Sequence, residues 1–273
     1  MRPSTRSVLL YAALVAGAFM ALLPMVWMVS ASLMPTGMAN SYPPRLLPPT
    51  VTLDHYRDVF TRINMGRFAL NSAIIAVTVT AISLVINSMA GYAFAKLRFR
   101  GRDRVFRFLS LGLVIPVQVA MLPLFLLMKQ LHLINSYGGV IIPTLASIFG
   151  IFLIRQYAIS IPDDLLDAAR IDGASELRIY RSVVVPVITP ILATLAIWTF
   201  LTTWNDFMWP LIVLSDQGHY TMPVSLASLV GEHVQDTELM MAGAVLTVVP
   251  VLLVFLFLQR YYIQGVMAGS VKG

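Results

Sequence analysis

Six stretches of this chain contain no Asp, Glu, Lys or Arg: Ser7 to Pro44, Phe68 to Ala95, Phe108 to Met128, Gln130 to Ile154, Ser182 to Asn205 and Leu239 to Gln259. A helix rises 1.5 Å per residue, so a hydrocarbon slab of about 30 Å takes roughly 20 apolar residues. Each gap is long enough. The pattern predicts six spanning helices over about 8–31, 69–95, 106–128, 139–157, 187–213 and 240–259. With 58% of residues hydrophobic and 12% charged, there is too little polar surface for a soluble domain. The apolar runs are continuous rather than alternating, which argues against a β-barrel.

The basic residues set an expected orientation. With the N-terminus inside the cell, the inner segments hold Arg2 and Arg6, then Lys96, Arg98, Arg100, Arg102, Arg104 and Arg107, then Arg155, Arg170, Arg178 and Arg181, and last Arg260 and Lys272. That is fourteen of nineteen, so the positive-inside rule places both termini in the cytoplasm. The run Lys96 to Arg104 could be taken for a nucleic-acid patch, but its place between two spans makes it a topology signal. The run Val8 to Val29 is longer than a signal-peptide core and is read as a retained first helix. There is no cysteine, hence no disulfide or thiolate metal site.

Between the spans, the proline-rich segment Tyr42 to Pro49 is expected to be an outer loop, with a short amphipathic helix over Leu53 to Phe60. Pro116 and Pro123 predict a kinked third helix with Gln118 between them, beside either a polar cavity or a packing neighbour. The fifth span carries Asp206, which reads equally as lining a water-filled pathway or as an interfacial residue between belt residues Trp204 and Trp209. Asn87, Gln118, Asn205 and Asp206 are the candidates for a pathway lining, since polar groups in spans tend to face a bundle interior.

The segment Tyr157 to Pro186 is unlike the other connections. Ser160 is expected to cap a helix whose first turn holds Pro162, Asp163 and Asp164, with Leu165, Leu166 and Ala169 on one face and Gly173 as its stop. Ser175 then caps a second short helix through Tyr180, leading to Pro186. Periodicity alone fits a helix on the lipid surface equally well.

The spacing is more specific. Asp167-Ala168-Ala169, three residues, Gly173, nine residues, then Val183-Val184-Val185-Pro186 resembles the EAA loop of binding-protein-dependent ABC importer permeases. Their pattern is Glu-Ala-Ala, Gly and Ile-x-Leu-Pro, so Asp167, Val183 and Val185 depart from it conservatively. The C-terminal stretch from Gln259 to Gly273, with Trp204-Asn205-Asp206 and Pro223-Val224, is similar to MalG-type permeases of carbohydrate importers.

That resemblance implies an all-α membrane protein with the six-helix, MetI-like type I importer fold: one transmembrane domain over 1–273, a permease core over 66–260 and the EAA loop at 158–186. It implies a bacterial inner-membrane subunit that pairs with a companion permease, two ATPase subunits and an extracytoplasmic binding protein. Asp167, Ala168, Ala169, Asp172, Gly173 and Pro186 would form the coupling element. ATP and Mg would be held by the partner ATPase, because this chain has no G-x-x-x-x-G-K-[ST] loop and is not read as an enzyme. A secondary transporter driven by an ion gradient is the competing class, but Asp206 is the only acidic residue in an expected span and no internal repeat is evident. A structural assembly subunit would not need the glycine elbow.

Overall fold

Long apolar runs with few breakers fold into long helices, and the breaks fall where prolines and polar pairs interrupt them. The computed structural model describes residues 5–43, 45–232 and 236–270. Pro44, Arg2 and Lys272 of the reading above lie outside that range. Among the described residues every regular element is helical. Helix α1 is Thr5–Ser32, α2 Asp54–Thr61, α3 Met65–Lys96, α4 Arg102–Leu111, α5 Val117–Gln130, α6 Tyr137–Ile141 and α7 Ile148–Ala158. Then come α8 Asp163–Ile171, α9 Glu176–Trp204, α10 Met208–Val213, α11 Met222–Glu232 and α12 Thr237–Ser270.

Among the described residues five segments are long and apolar enough to cross a membrane: Leu9–Ser32, Met65–Lys96, Tyr137–Ala158, Glu176–Trp204 and Thr237–Phe257. The pair α4 and α5 makes a sixth if counted as one, with a bend of 106°. The third span is therefore broken rather than kinked. Ile115 sits at φ −84°, ψ 119°, the extended conformation that a following proline imposes, and Pro116 opens α5. Pro123 is accommodated inside α5.

The fifth span also differs from expectation. The second short helix after Gly173 is not separate: α9 starts at Glu176 and runs unbroken into the span, passing through a π-helical turn over Tyr180–Val184. Pro186 has no N–H to return to the preceding turn, and the wider turn just before it absorbs the mismatch. At its other end α9 stops at Trp204, so Asn205 and Asp206 stand in a break before α10 and not within the span. Trp204 and Trp209 are buried, at 4% exposure each, so neither is a lipid-facing belt residue. The Trp209 indole donates to Gly139 O at 3.1 Å.

The chain divides into two compact units. The first comprises residues 1–69 and 222–250. In it Ala31, Met34 and Ala39 form a small core with Trp27, Met38 and Met241. The short helix α2 forms as expected and buries His55 and Val59, His55 Nε2 donating to Met34 O at 2.9 Å. Glu238 accepts from the Ala39 amide at 2.7 Å. The second unit, residues 70–221 and 251–273, contains the segment that resembles the EAA loop.

Within the second unit α3 and α7 approach closely at two glycines. A Cβ on Gly91 would lie 2.6 Å from Ile154 Cγ2 and 3.0 Å from the Arg155 backbone nitrogen, and one on Gly150 would lie 2.7 Å from Asn87 Nδ2. Small residues at such crossings let helix backbones meet where lipid offers no hydrophobic drive. Gly91→Val is expected to lower the unfolding midpoint of the detergent-solubilised chain by several degrees. Gly17→Ala, with nothing within 4 Å of the added carbon, is expected to leave it unchanged. Equal midpoints for both would contradict the close crossing.

Candidate functional site

The site is the connection between α7 and α9, and its local structure follows from a few residues. Helix α8 begins after Pro162, with Asp163 and Asp164 in the first turn where the helix dipole favours negative charge. Ser160 does not cap it; its hydroxyl donates to Tyr157 O at 2.7 Å in the turn that ends α7. The helix ends at Gly173, whose φ of +77° lies in the left-handed region. Gly173 N donates to Arg170 O and Ala174 N to Ala169 O, both at 3.0 Å, the paired closing bonds of a Schellman stop. Ser175 then caps α9, accepting from Arg178 N at 3.4 Å.

Three side chains at four-residue spacing on α3 hold this connection. Ser88 Oγ lies 2.6 Å from Tyr180 Oη, Tyr92 Oη donates to Glu176 Oε2 at 3.0 Å, and Lys96 meets the start of α8. The Lys96 ammonium donates to Ile159 O at 3.2 Å, Ile161 O at 2.6 Å and Asp163 Oδ1 at 2.7 Å. An ammonium has three protons, and here each has an acceptor. The side chain is only 7% exposed, so leaving those protons unpaired would be costly. Beneath this ladder lies an apolar core that includes Ile154, Ile161, Leu166, Ile179 and Val184.

Electrostatics continue across the elbow. Arg170 donates to Asp167 Oδ1 at 2.7 Å and to Glu176 Oε1 at 2.9 Å, pinning α8 to α9 across Gly173. Its guanidinium pKa is raised above the ordinary value, mainly by the Glu176 bond and then by that to Asp167. Lys96, by hydrogen bond and then by charge, holds the Asp163 carboxyl below its ordinary 3.8.

The two faces of α8 have different fates. Leu166 is buried and Ala169 is partly buried against the core. Asp164, Ala168 and Ile171, at i, i+4 and i+7, point the other way, and Ile171 is 88% exposed. Leu165, read from the sequence as part of the buried face, is exposed at 45%. Asp167, Asp172 and Gly173 are exposed beside this outer face, whereas Pro186 lies inside α9 beyond the π turn.

The four pathway candidates are not brought together by any hydrogen bond among the described residues. Asn87 is fully buried, donating to Ser83 Oγ at 2.6 Å and accepting from Ser147 N at 3.0 Å, where the Tyr137–Ala158 span is interrupted. Gln118 is exposed in the first turn of α5. Asn205 Nδ2 donates to Leu201 O at 2.8 Å, and Asp206 Oδ1 accepts from Trp209 N at 3.4 Å.

Residues 87–267 match the family described as binding-protein-dependent transport system inner membrane component. The chain belongs to that family. It is 39% identical over 259 residues to the arabinooligosaccharides transport system permease protein AraQ of Halalkalibacterium halodurans, covering 94% of this chain and 93% of that one. It is 34% identical over 262 residues to the lactose transport system permease protein LacG of Rhizobium radiobacter, covering 96% and 95%. Among solved structures, a chain of a bacterial ABC transporter involved in the import of the acidic polysaccharide alginate superposes with a TM-score of 0.83. That chain is 26% identical, with 96% of this chain and all of that one covered. This inner-membrane component therefore has the all-helical fold of ABC importer permeases.

Two outcomes are expected if the α3 ladder positions α8. Lys96→Met, which strands two carbonyls, is expected to speed protease cleavage within residues 158–175 far more than Asp163→Asn, which removes one exposed acceptor. Because the folded pKa of Asp163 is depressed, its pairing is fully present above the ordinary carboxylate range and is lost only as pH falls through the depressed value. Protection of the segment should thus stay level from about pH 8 to about pH 5 and fall only below about pH 4. A loss near neutrality would contradict this assignment.

Proposed function

We propose that this chain is a permease subunit of an ATP-driven importer for a sugar or sugar-like solute, and that α8 is the helix through which a separate ATPase drives it. The observation that carries this reading is the two-faced α8: one side seated on the α3 ladder, the other presenting Ile171 bare. An isolated apolar side chain is ordinary on a surface. Here it stands at the tip of a charged helix braced from behind, as a docking knob does. The relatives named for arabinooligosaccharides and lactose support a carbohydrate as cargo.

In this mechanism the ATPase pair holds ATP and Mg, and closes on nucleotide. Each ATPase grips a short helix such as α8, with Asp164, Ala168 and Ile171 turned into its cleft. The stroke passes through Gly173 and the Arg170 bridge into α9 and through Lys96 into α3. A companion permease completes the translocation pathway, an extracytoplasmic binding protein delivers the solute, and both termini lie in the cytoplasm. Alternating access is then a change in how the two permease bundles pack. Gly173 contributes by its backbone: a Cβ there meets nothing within 4 Å, so a substitution is penalised through φ, by about 1–2 kcal/mol for a side chain that resists the left-handed region.

The test is the reconstituted importer with its ATPase, companion permease and loaded binding protein. Ile171→Glu is expected to leave the chain's membrane insertion and unfolding midpoint intact while cutting substrate-stimulated ATP hydrolysis at least about tenfold, as an unpaired charge in a docked cleft costs more than about 1.4 kcal/mol. Gly173→Asn, which tolerates positive φ, is expected to keep coupling that Gly173→Val loses. Full stimulation by Ile171→Glu would overturn the docking face.

A further inference from the structure

Helix α4 separates its chemistry lengthwise as well as around its axis. Phe106 turns inward, with its ring 5.5 Å from Phe94, 6.2 Å from Phe152 and under the Arg155 guanidinium at 4.0 Å. On the opposite side Arg104, Arg107, Phe108 and Leu111 fall at i, i+3, i+4 and i+7, a single stripe. All four are exposed, Phe108 by 75% and Leu111 by 66%. The stripe is basic toward the start of α4 and apolar toward its end.

The neighbouring charges do not neutralise it. Asp103 is held by Arg102 at 3.1 Å, and Arg98, Arg100, Arg104 and Arg107 form no ion pair among the described residues. Arg104 and Arg107 line an open concavity of ≈ 580 Å³ with Phe108, Ser110 and Leu111. They also line a second of ≈ 890 Å³ that includes Arg98 and Arg100. The 106° bend at Ile115 sets α4 across the axis of α5, the orientation a helix needs to lie along a bilayer that its neighbour enters.

We propose that the outer stripe of α4 binds an anionic phospholipid, its phosphate on Arg104 and Arg107 and its acyl chains along Phe108 and Leu111. Charge selects the headgroup: guanidinium forks match phosphate oxygens in pairs, and a basic cluster at the end of a span is drawn to anionic lipid. The apolar half selects a lipid over a free anion. An amphipathic helix in the interface buries such a face between headgroups and chains.

The experiment uses the assembled importer in nanodiscs of phosphatidylcholine containing phosphatidylglycerol, with native mass spectrometry reading the phosphatidylglycerol retained per complex. Arg104→Gln with Arg107→Gln should weaken retention about 30-fold, and Arg104→Lys with Arg107→Lys should keep most of it. Phe108→Ser with Leu111→Ser should weaken it too. Unchanged retention in the glutamine pair overturns the proposal. So does displacement by millimolar inorganic phosphate with the serine pair unaffected, which marks a free-phosphate site. A photo-crosslinker at Phe108 that captures a partner subunit instead of lipid also overturns it.

Discussion

The Lys96 ammonium is the contact on which the rest of the mechanism depends. A buried charge is tolerable only when its protons are all taken, and Ile159 O, Ile161 O and Asp163 take them. That requirement fixes where the last turn of α3 stands relative to the turn between α7 and α8. Tyr92 and Ser88 repeat the arrangement one and two turns away, toward Glu176 and Tyr180 of α9. Apolar seating of Leu166 holds α8 down, since truncating such a core side chain typically costs about 2–5 kcal/mol, while the polar ladder gives it direction. Under the proposed function this stiffness has a purpose, because a short helix on a floppy tether would dissipate a stroke.

Much of the fold was legible because a bilayer punishes charge, so charge gaps locate the spans, though not their ends. What the gaps could not show is where a span breaks without one. Pro116 acts through its neighbour Ile115, and the result is a 106° turn instead of a kink. Pro186 acts through a π turn that fuses the expected second short helix into α9. The fifth gap does end at Asn205, where the span stops, but the expected span was carried on to residue 213 through the apolar residues after Asp206.

The site was legible in part for a similar reason. Gly173 and the residues around Asp167 to Ala169 lie in one short stretch, and the positive φ at the helix stop favours a glycine there. Ser88, Tyr92 and Lys96 lie about seventy to ninety residues earlier, and Lys96 had been counted only for orientation. Their signal was present as three polar groups four apart at the end of an apolar helix, but its partners exist only in the folded chain. The same applies to α8 itself, where Leu165 and Leu166 look equivalent in sequence, yet Leu166 is buried and Leu165 is exposed. Helix α4 completes the picture, since Arg155 on α7 and Phe106 join it to the same end of the bundle that carries α8.

The most direct test is whether α8 and the end of α3 move as one body. The chain has no cysteine, so Arg98→Cys, two residues past the end of α3, and Leu165→Cys on the exposed flank of α8 can be spin-labelled cleanly and their separation measured in the reconstituted importer by pulsed electron resonance. A braced lever predicts the same narrow distance distribution with and without ATP. A distribution that broadens or shifts on ATP binding would mean that α8 flexes independently of α3, and would contradict the account.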